Sequence, residues 1–453
     1  MPNFKFRREP VQVPKISTAF REIKTLIPAP GTCDILDKLE TYESRSMHGQ
    51  LPIVWQKAQN ASIFDIAGNK WIDFTSGIFV TNVGHSNERV SQAIKTVTTD
   101  QMYACYAYPN AVRAKYLEKL VKFCDNHFDK AFLLSAGTEA TEAAFKLMRM
   151  YGQKKGKQKR VVLTIENNWH GRTLGAQMLC SNEAQKSWIG VLDTQISHIA
   201  FPYPWVLGSG DPAEFFRNSI AELKKNGIDP ECDVCGVMLE TFQGWGAVFY
   251  PEEYVQEVEK FCRKYNILLC FDEMQSGFGR TGKKFGFEHY SVSPDLIACG
   301  KGMGGGLPLS GVIGTKEVMD LPDIGNMSST HSGNPLVCSA GLAVLEELER
   351  IMPSMSKAQK LFLKKLEEIA SQFPDHISAV YGKGMIFALH FKDAKSGGPD
   401  AFIASKISEF CMQSGILVVH TGRESIKLGP PLTIEIEALA EGLDVLRGCI
   451  KKV

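Results

Sequence analysis

The middle of the chain alternates short, almost wholly apolar runs with amphipathic stretches, and this alternation limits the fold more than any other feature. The runs are AFLLS (131–135), VVLTIE (161–166), GVMLE (236–240), ILLCFDE (267–273) and DLIACG (295–300). Between several of them lie patterns of helical spacing: TEATEAAFKLMRMYG (138–152), DPAEFFRNSIAELKKNG (211–227) and PEEYVQEVEKFCRKY (251–265). A strand that is apolar on both faces has to be covered on both. The order therefore predicts an α/β fold, with a mostly parallel sheet flanked by helices. The last two helical patterns open with Pro beside acidic residues, which suits a helix N-terminus.

After Pro335 the texture changes. Two long helical patterns (336–352 and 357–373) lead into shorter strand candidates at 381–391, 415–421 and 425–434. Residues 90–340 are therefore read as the large domain and 341–453 as a smaller α+β domain. The segment 1–89 is expected to pack with the small domain. It carries a hairpin pattern, SIFDIAGNKWIDF (62–74), turning at AGN (67–69).

Charge excludes some functions. Lys and Arg total 51 and Asp and Glu 50, so neither nucleic acid nor a membrane surface is an expected partner. The opening MPNFKFRREPVQVPK has no apolar stretch for a secretory signal, and no run is long enough to span a membrane. Twelve scattered cysteines suit reduced thiols, and a cytoplasmic location is expected. The pair in CDVC (232–235) has no second pair nearby and reads as structural thiols, so no metal is expected. The basic run KKGKQKR (154–160) reads as a solvated loop.

The strongest chemical signal is FDEMQSGFGRTGKKFGFEHYSVSPDLIACGKGMGGGLPLSG (271–311). One apolar run delivers Asp272 at its carboxyl end, where open α/β sheets place their ligands. The next delivers Lys301 into a glycine-rich turn. A structural ion pair would also place a carboxylate and a lysine on neighbouring strand ends. The surrounding glycines favour a bulky ligand, and a lysine shielded from water is a candidate Schiff-base nucleophile. Upstream, SAGTEA (135–140) joins a strand to a helix whose first N–H groups form a ready phosphate site around Gly137 and Thr138.

These motifs, with NWHGRT (168–173) and STHSGNP (329–335), resemble those of the class-III, ω-amino acid type aminotransferases over roughly four-fifths of the chain. The resemblance implies fold type I and pyridoxal 5'-phosphate as cofactor. It makes Lys301 the lysine bonded to the cofactor and the carrier of the substrate proton. Asp272 would hold the pyridine nitrogen protonated, since a cationic ring is the better electron sink. Met274 would lie against a ring face, Gln275 would reach the phenolic oxygen, and Trp169 would stack on the ring with His170 close by. Glu240 belongs to the same cofactor set. Thr330 would cross to the phosphate of a neighbouring subunit, making a homodimer with shared sites.

The substrate residues depart from the family pattern. In ETFQGWG (240–246), Trp245 replaces an acid that in many relatives pairs with an arginine near the C-terminus. At that arginine's position stands Lys427. A lysine cannot reproduce a bidentate grip on a carboxylate. With Arg172 and Phe79 as further pocket residues, the expectation is amino transfer from a donor such as glutamate to a terminal aldehyde or ketone, for example of an oxidised sugar or sugar acid. The alternative is a 4-aminobutyrate- or ornithine-type ω-amino acid aminotransferase. An aminomutase or a lyase on the same scaffold is the rival of another class.

Overall fold

In the computed structural model, which describes residues 4–99, 102–125, 127–156 and 158–453, the apolar runs are strands of one seven-stranded sheet. In chain order the sheet's strands are β1 Lys130–Leu134, β2 Val161–Ile165, β3 Ile196–Ile199, β4 Val234–Glu240, β5 Leu268–Asp272, β6 Leu296–Cys299 and β7 Ser310–Gly314, of which β3 and β7 are not among the five runs. They lie side by side as β1-β7-β6-β5-β4-β2-β3. The pairs from β6 across to β3 are parallel. Only β7, antiparallel to both β6 and β1, runs the other way. Every residue of β2, β4, β5, β6 and β7 is buried, which is why these strands read as continuous apolar runs rather than alternating ones.

The helix Gly137–Lys155 packs on this sheet through Ala140, Ala144, Leu147 and Met148, which share a core with Val162, Met238 and Cys270. The approach is close at Gly236, where an added Cβ would lie 2.2 Å from Met148 Sδ. The other helical patterns form Pro212–Lys225 and Glu252–Tyr265. The first of these is capped by Asp211, whose carboxylate accepts the Ala213 and Glu214 N–H groups.

By its internal packing the chain divides into two units. The sheet unit comprises Glu88–Gly244 and Val248–Glu349. The second comprises the chain up to Asn87, Trp245–Ala247 and Arg350–Val453. In the second unit Ser62–Asp65 and Lys70–Asp73 pair as an antiparallel hairpin, and Ile416–Leu417 adds to it in parallel. Asp65 Oδ1 closes the turn by accepting from Ala67 N–H and Asn69 N–H. A separate antiparallel sheet orders Ile377–Lys383, Ile386–Phe391, Ser425–Leu428 and Val419–His420.

Three expectations need correcting. The run 381–391 is not one strand but a hairpin bent at Gly384, which has φ 65°. The strand expected over 425–434 ends at Leu428, because Pro430 and Pro431 have no N–H to give a ladder. Lys159, in the basic run, is not solvated. It is buried, and Nζ donates to Tyr265 O at 2.5 Å; Lys157 lies outside the described residues. Among the described residues, no helix is long and apolar enough to cross a membrane.

Candidate active site

Strand register builds the centre of the site. Asp272 ends β5 directly opposite Glu240 on β4 and Ala298 on β6, so two carboxylates and the turn that follows β6 meet at one sheet edge. Lys301 opens that turn at φ 27°, in the left-handed region that side chains avoid. Burial pushes its ammonium pKa down against the opposing pull of Asp272 and, more weakly, Glu240. A lysine held in this way has a larger neutral fraction near neutral pH, and the neutral amine is the nucleophile.

A cavity of about 330 Å³ opens here. Its walls include ten of the residues expected from the sequence: Gly137, Thr138, Trp169, His170, Arg172, Glu240, Asp272, Met274, Gln275 and Lys301. Asp272 is buried; its Oδ1 accepts the Met274 N–H at 3.0 Å, and its Oδ2 lies 2.8 Å from His170 Nδ1. Glu240 Oε2 accepts the Trp169 N–H at 3.1 Å. Trp169 is 39% exposed, and the Arg172 guanidinium lies over its ring at 4.1 Å.

The walls fit a flat, phosphorylated cofactor. Gly137 begins a 19-residue helix, so its first N–H groups lack intrahelical acceptors and point, with the dipole, at any anion placed there. A Cβ on Gly137 or Gly300 would come within 2.8 or 2.7 Å of Met274 Sδ, so a side chain at either position would force Met274 to shift. At Gly244 a Cβ would meet Glu240 Oε1 at 2.4 Å and Gln275 Nε2 at 2.5 Å.

Thr138 differs from the expectation that its hydroxyl serves an anion. Thr173 O–H is directed to Glu142 Oε1 at 2.6 Å, which leaves the Thr138 proton for Thr173 Oγ1, also at 2.6 Å. The Thr138 contribution to an anion is then its backbone N–H.

Thr330 stands on an exposed turn and does not line this cavity. Nearby Ser329 and Ser332 line a separate one of about 220 Å³ with Tyr106 and Arg113.

The remaining expected residues lie in the second unit. The Lys427 ammonium is buried and sits over the Phe79 ring at 4.7 Å. Phe79 ends the segment Ser76–Phe79, in which all four residues take φ between 47° and 68°. For the non-glycine residues this backbone costs on the order of 1–2 kcal/mol each. The Trp245 ring is covered by the Arg423 guanidinium at 3.7 Å, and the Trp245 carbonyl accepts from Ser425 Oγ.

Sequence reasoning missed Arg423 and the residues behind His170, namely Thr164, Asn168 and Cys180. Asn168 opens the NWHGRT motif already singled out, but no role was read for it. Thr164 is the one hydroxyl in an apolar strand, a signal that gains meaning only from its neighbours in space. Among the described residues no cluster of metal-ligating side chains occurs.

The sequence model of the family described as "Aminotransferase class-III" matches residues 43–450. The mitochondrial acetylornithine aminotransferase of Candida glabrata is 32% identical over 425 residues, covering 91% of this chain and 94% of the relative. The 4-aminobutyrate aminotransferase of Mycobacterium leprae is 30% identical over 442 residues, covering 94% and 97%. A crystal structure of a Bacillus anthracis aminotransferase superposes with a TM-score of 0.85 at 24% identity, over 93% of this chain and 99% of that one. The chain belongs to the class-III aminotransferases. It is a transaminase of fold type I, and its cofactor is the family's pyridoxal phosphate.

Proposed function

We propose that this transaminase moves the terminal amino group of an ω-amino acid to 2-oxoglutarate, in two half-reactions at the cavity around Lys301. The observation that carries the site assignment is the meeting of Lys301, Asp272 and Glu240 at the carboxyl ends of adjacent strands. The relatives are named for acetylornithine and 4-aminobutyrate. This supports an ω-amino acid over the sugar acceptor expected first, and over an aminomutase or a lyase.

Pyridoxal phosphate, when bound, supplies the electron sink for loss of a proton from the amine-bearing carbon. The protein's own residues do the rest. Lys301 Nζ, whose charged form is disfavoured by burial, anchors the cofactor and then carries the substrate proton. Asp272 holds the ring nitrogen protonated, Trp169 and Met274 cover the two ring faces, and Gln275 and Glu240 stand at the phenolic side. The N–H groups of Gly137 and Thr138 take the phosphate, and Thr330 reaches the phosphate of a second subunit. Arg172, in the cavity wall, takes a substrate carboxylate; Lys427, over the Phe79 ring, and Trp245 are substrate-residue candidates from the sequence pattern.

The test is a panel of ω-amino acids and amino sugars, each offered with 2-oxoglutarate and scored by glutamate formed. Turnover of acetylornithine, ornithine or 4-aminobutyrate, abolished in Lys301→Ala, is expected. Turnover of amino sugars alone would overturn the substrate assignment.

A further inference from the structure

Behind Asp272 lies a chain of buried polar groups that the amino transfer described above does not use. It begins on β2, a strand reading VVLTI in which every residue is buried and Thr164 is the one hydroxyl. Thr164 Oγ1 lies 3.2 Å from His170 Nε2, and His170 Nδ1 lies 2.8 Å from Asp272 Oδ2. On its other side Thr164 Oγ1 accepts from Asn168 Nδ2 at 2.6 Å.

Donor counting points to where the protons sit. Asn168 Oδ1 accepts the Ser181 N–H at 2.9 Å, and Asn168 Nδ2 also donates to Leu179 O at 2.9 Å. The amide orientation is thereby set, and Thr164 Oγ1 receives a hydrogen from Asn168. A hydroxyl has a single proton to give, and His170 Nε2 is the acceptor within reach. An acceptor at Nε2 leaves the hydrogen on Nδ1, where it is donated to Asp272. Asp272 takes this N–H on one oxygen and the Met274 N–H on the other, as an ionised carboxylate does.

The surroundings add no charge at Nε2. His198, in register with Thr164 on β3, donates Nε2–H to Leu179 O, and burial pushes its pKa down to about 4. The Cys180 thiol, which accepts the His170 backbone N–H, is pushed up by burial and stays neutral.

We infer that Thr164 is a positioning residue that holds His170 in the neutral Nδ1–H tautomer, so that the negative charge of Asp272 is left for the ring nitrogen of the cofactor. An imidazolium at His170 would share that charge and weaken the hold on the ring. A neutral imidazole orients the carboxylate without competing for it. The inference rests on the placement of Asp272 against the ring nitrogen proposed above.

The test compares wild type, Thr164→Val, Thr164→Ser and Asp272→Asn as holoenzymes. It reads the release rate of pyridoxal phosphate and the Tm of loaded and cofactor-free protein. Thr164→Val is expected to release the cofactor roughly three- to tenfold faster, the weight of one hydrogen bond. The Tm gap between loaded and cofactor-free protein should shrink with it, and Thr164→Ser should restore both. If Thr164→Val fails to fold, Thr164→Ala removes the same hydroxyl without new bulk and carries the same expectation. An equal Tm loss in both forms, with release unchanged, would make Thr164 purely structural and overturn the inference. Faster release in Asp272→Asn but not in the Thr164 variants would overturn this inference alone. Unchanged release in Asp272→Asn would instead remove Asp272 from the ring nitrogen.

Discussion

Lys301 combines a backbone at φ 27° with a side chain whose ammonium is destabilised by burial. The sign of that shift gives a pH prediction. Protonation of Nζ is penalised in the folded protein, so the neutral amine persists to lower pH than in a free lysine, whose pKa is about 10.4. Cofactor-free protein should therefore take up pyridoxal phosphate at a rate that rises with pH to a midpoint below the ordinary lysine value. A stopped-flow pH series that stays flat until about 10.4 would contradict it. The Lys427 ammonium, over the Phe79 ring, makes a separate demand. Lys427→Gln should raise KM for a carboxylate-bearing substrate on the order of tenfold or more, the loss of one charge-assisted contact, with kcat nearly unchanged. An unchanged KM would release Lys427 from substrate binding.

At the scale of elements, the site depends on strands that end level with one another and on a helix that lies close against them. That approach is close at Gly236, with Met148 Sδ 2.2 Å from a hypothetical Cβ. Gly236→Ala should cost about 1–3 kcal/mol by overpacking and lower the Tm in thermal unfolding; an unchanged Tm would mean that the helix yields freely. These elements were legible because burial on both faces writes a strand as an apolar run, and β2, β4, β5 and β6 all appear that way. The strand β7 was not, since Leu309–Gly314 is rich in glycine and follows Pro308, a texture that reads as a loop. The stretch 381–391 was read as a single strand because residues flanking Gly384 look alike on both sides, whereas it spans the turn and second strand of a hairpin that starts at Ile377. Of the site, Lys301, Asp272, Gly137 and Trp169 were visible through their motifs. Thr164 was invisible because its meaning lies in a neighbour six residues away in sequence and across a turn in space. Arg423 was missed because nothing local ties it to Trp245.

For the whole molecule, the proposed dimer follows from Thr330, which stands outside the cavity of its own chain while the family pattern assigns it to a phosphate. Lys301→Ala and Thr330→Ala subunits, each inactive or impaired alone, should recover activity when dissociated and reassembled together. One site of each mixed dimer then has both residues, the lysine from one chain and the threonine from its partner. No recovery in verified mixed dimers would place the phosphate contacts within one chain. The central claim, that a nitrogen atom leaves one carbon skeleton and arrives on another, can be read directly. Loaded enzyme is incubated with 15N-amino-labelled ω-amino acids and unlabelled 2-oxoglutarate, and the products are analysed by mass spectrometry. The account predicts 15N in glutamate and an aldehyde from the donor, both lost in Lys301→Ala. Label found only as ammonia, or retained on a rearranged donor skeleton, would contradict it.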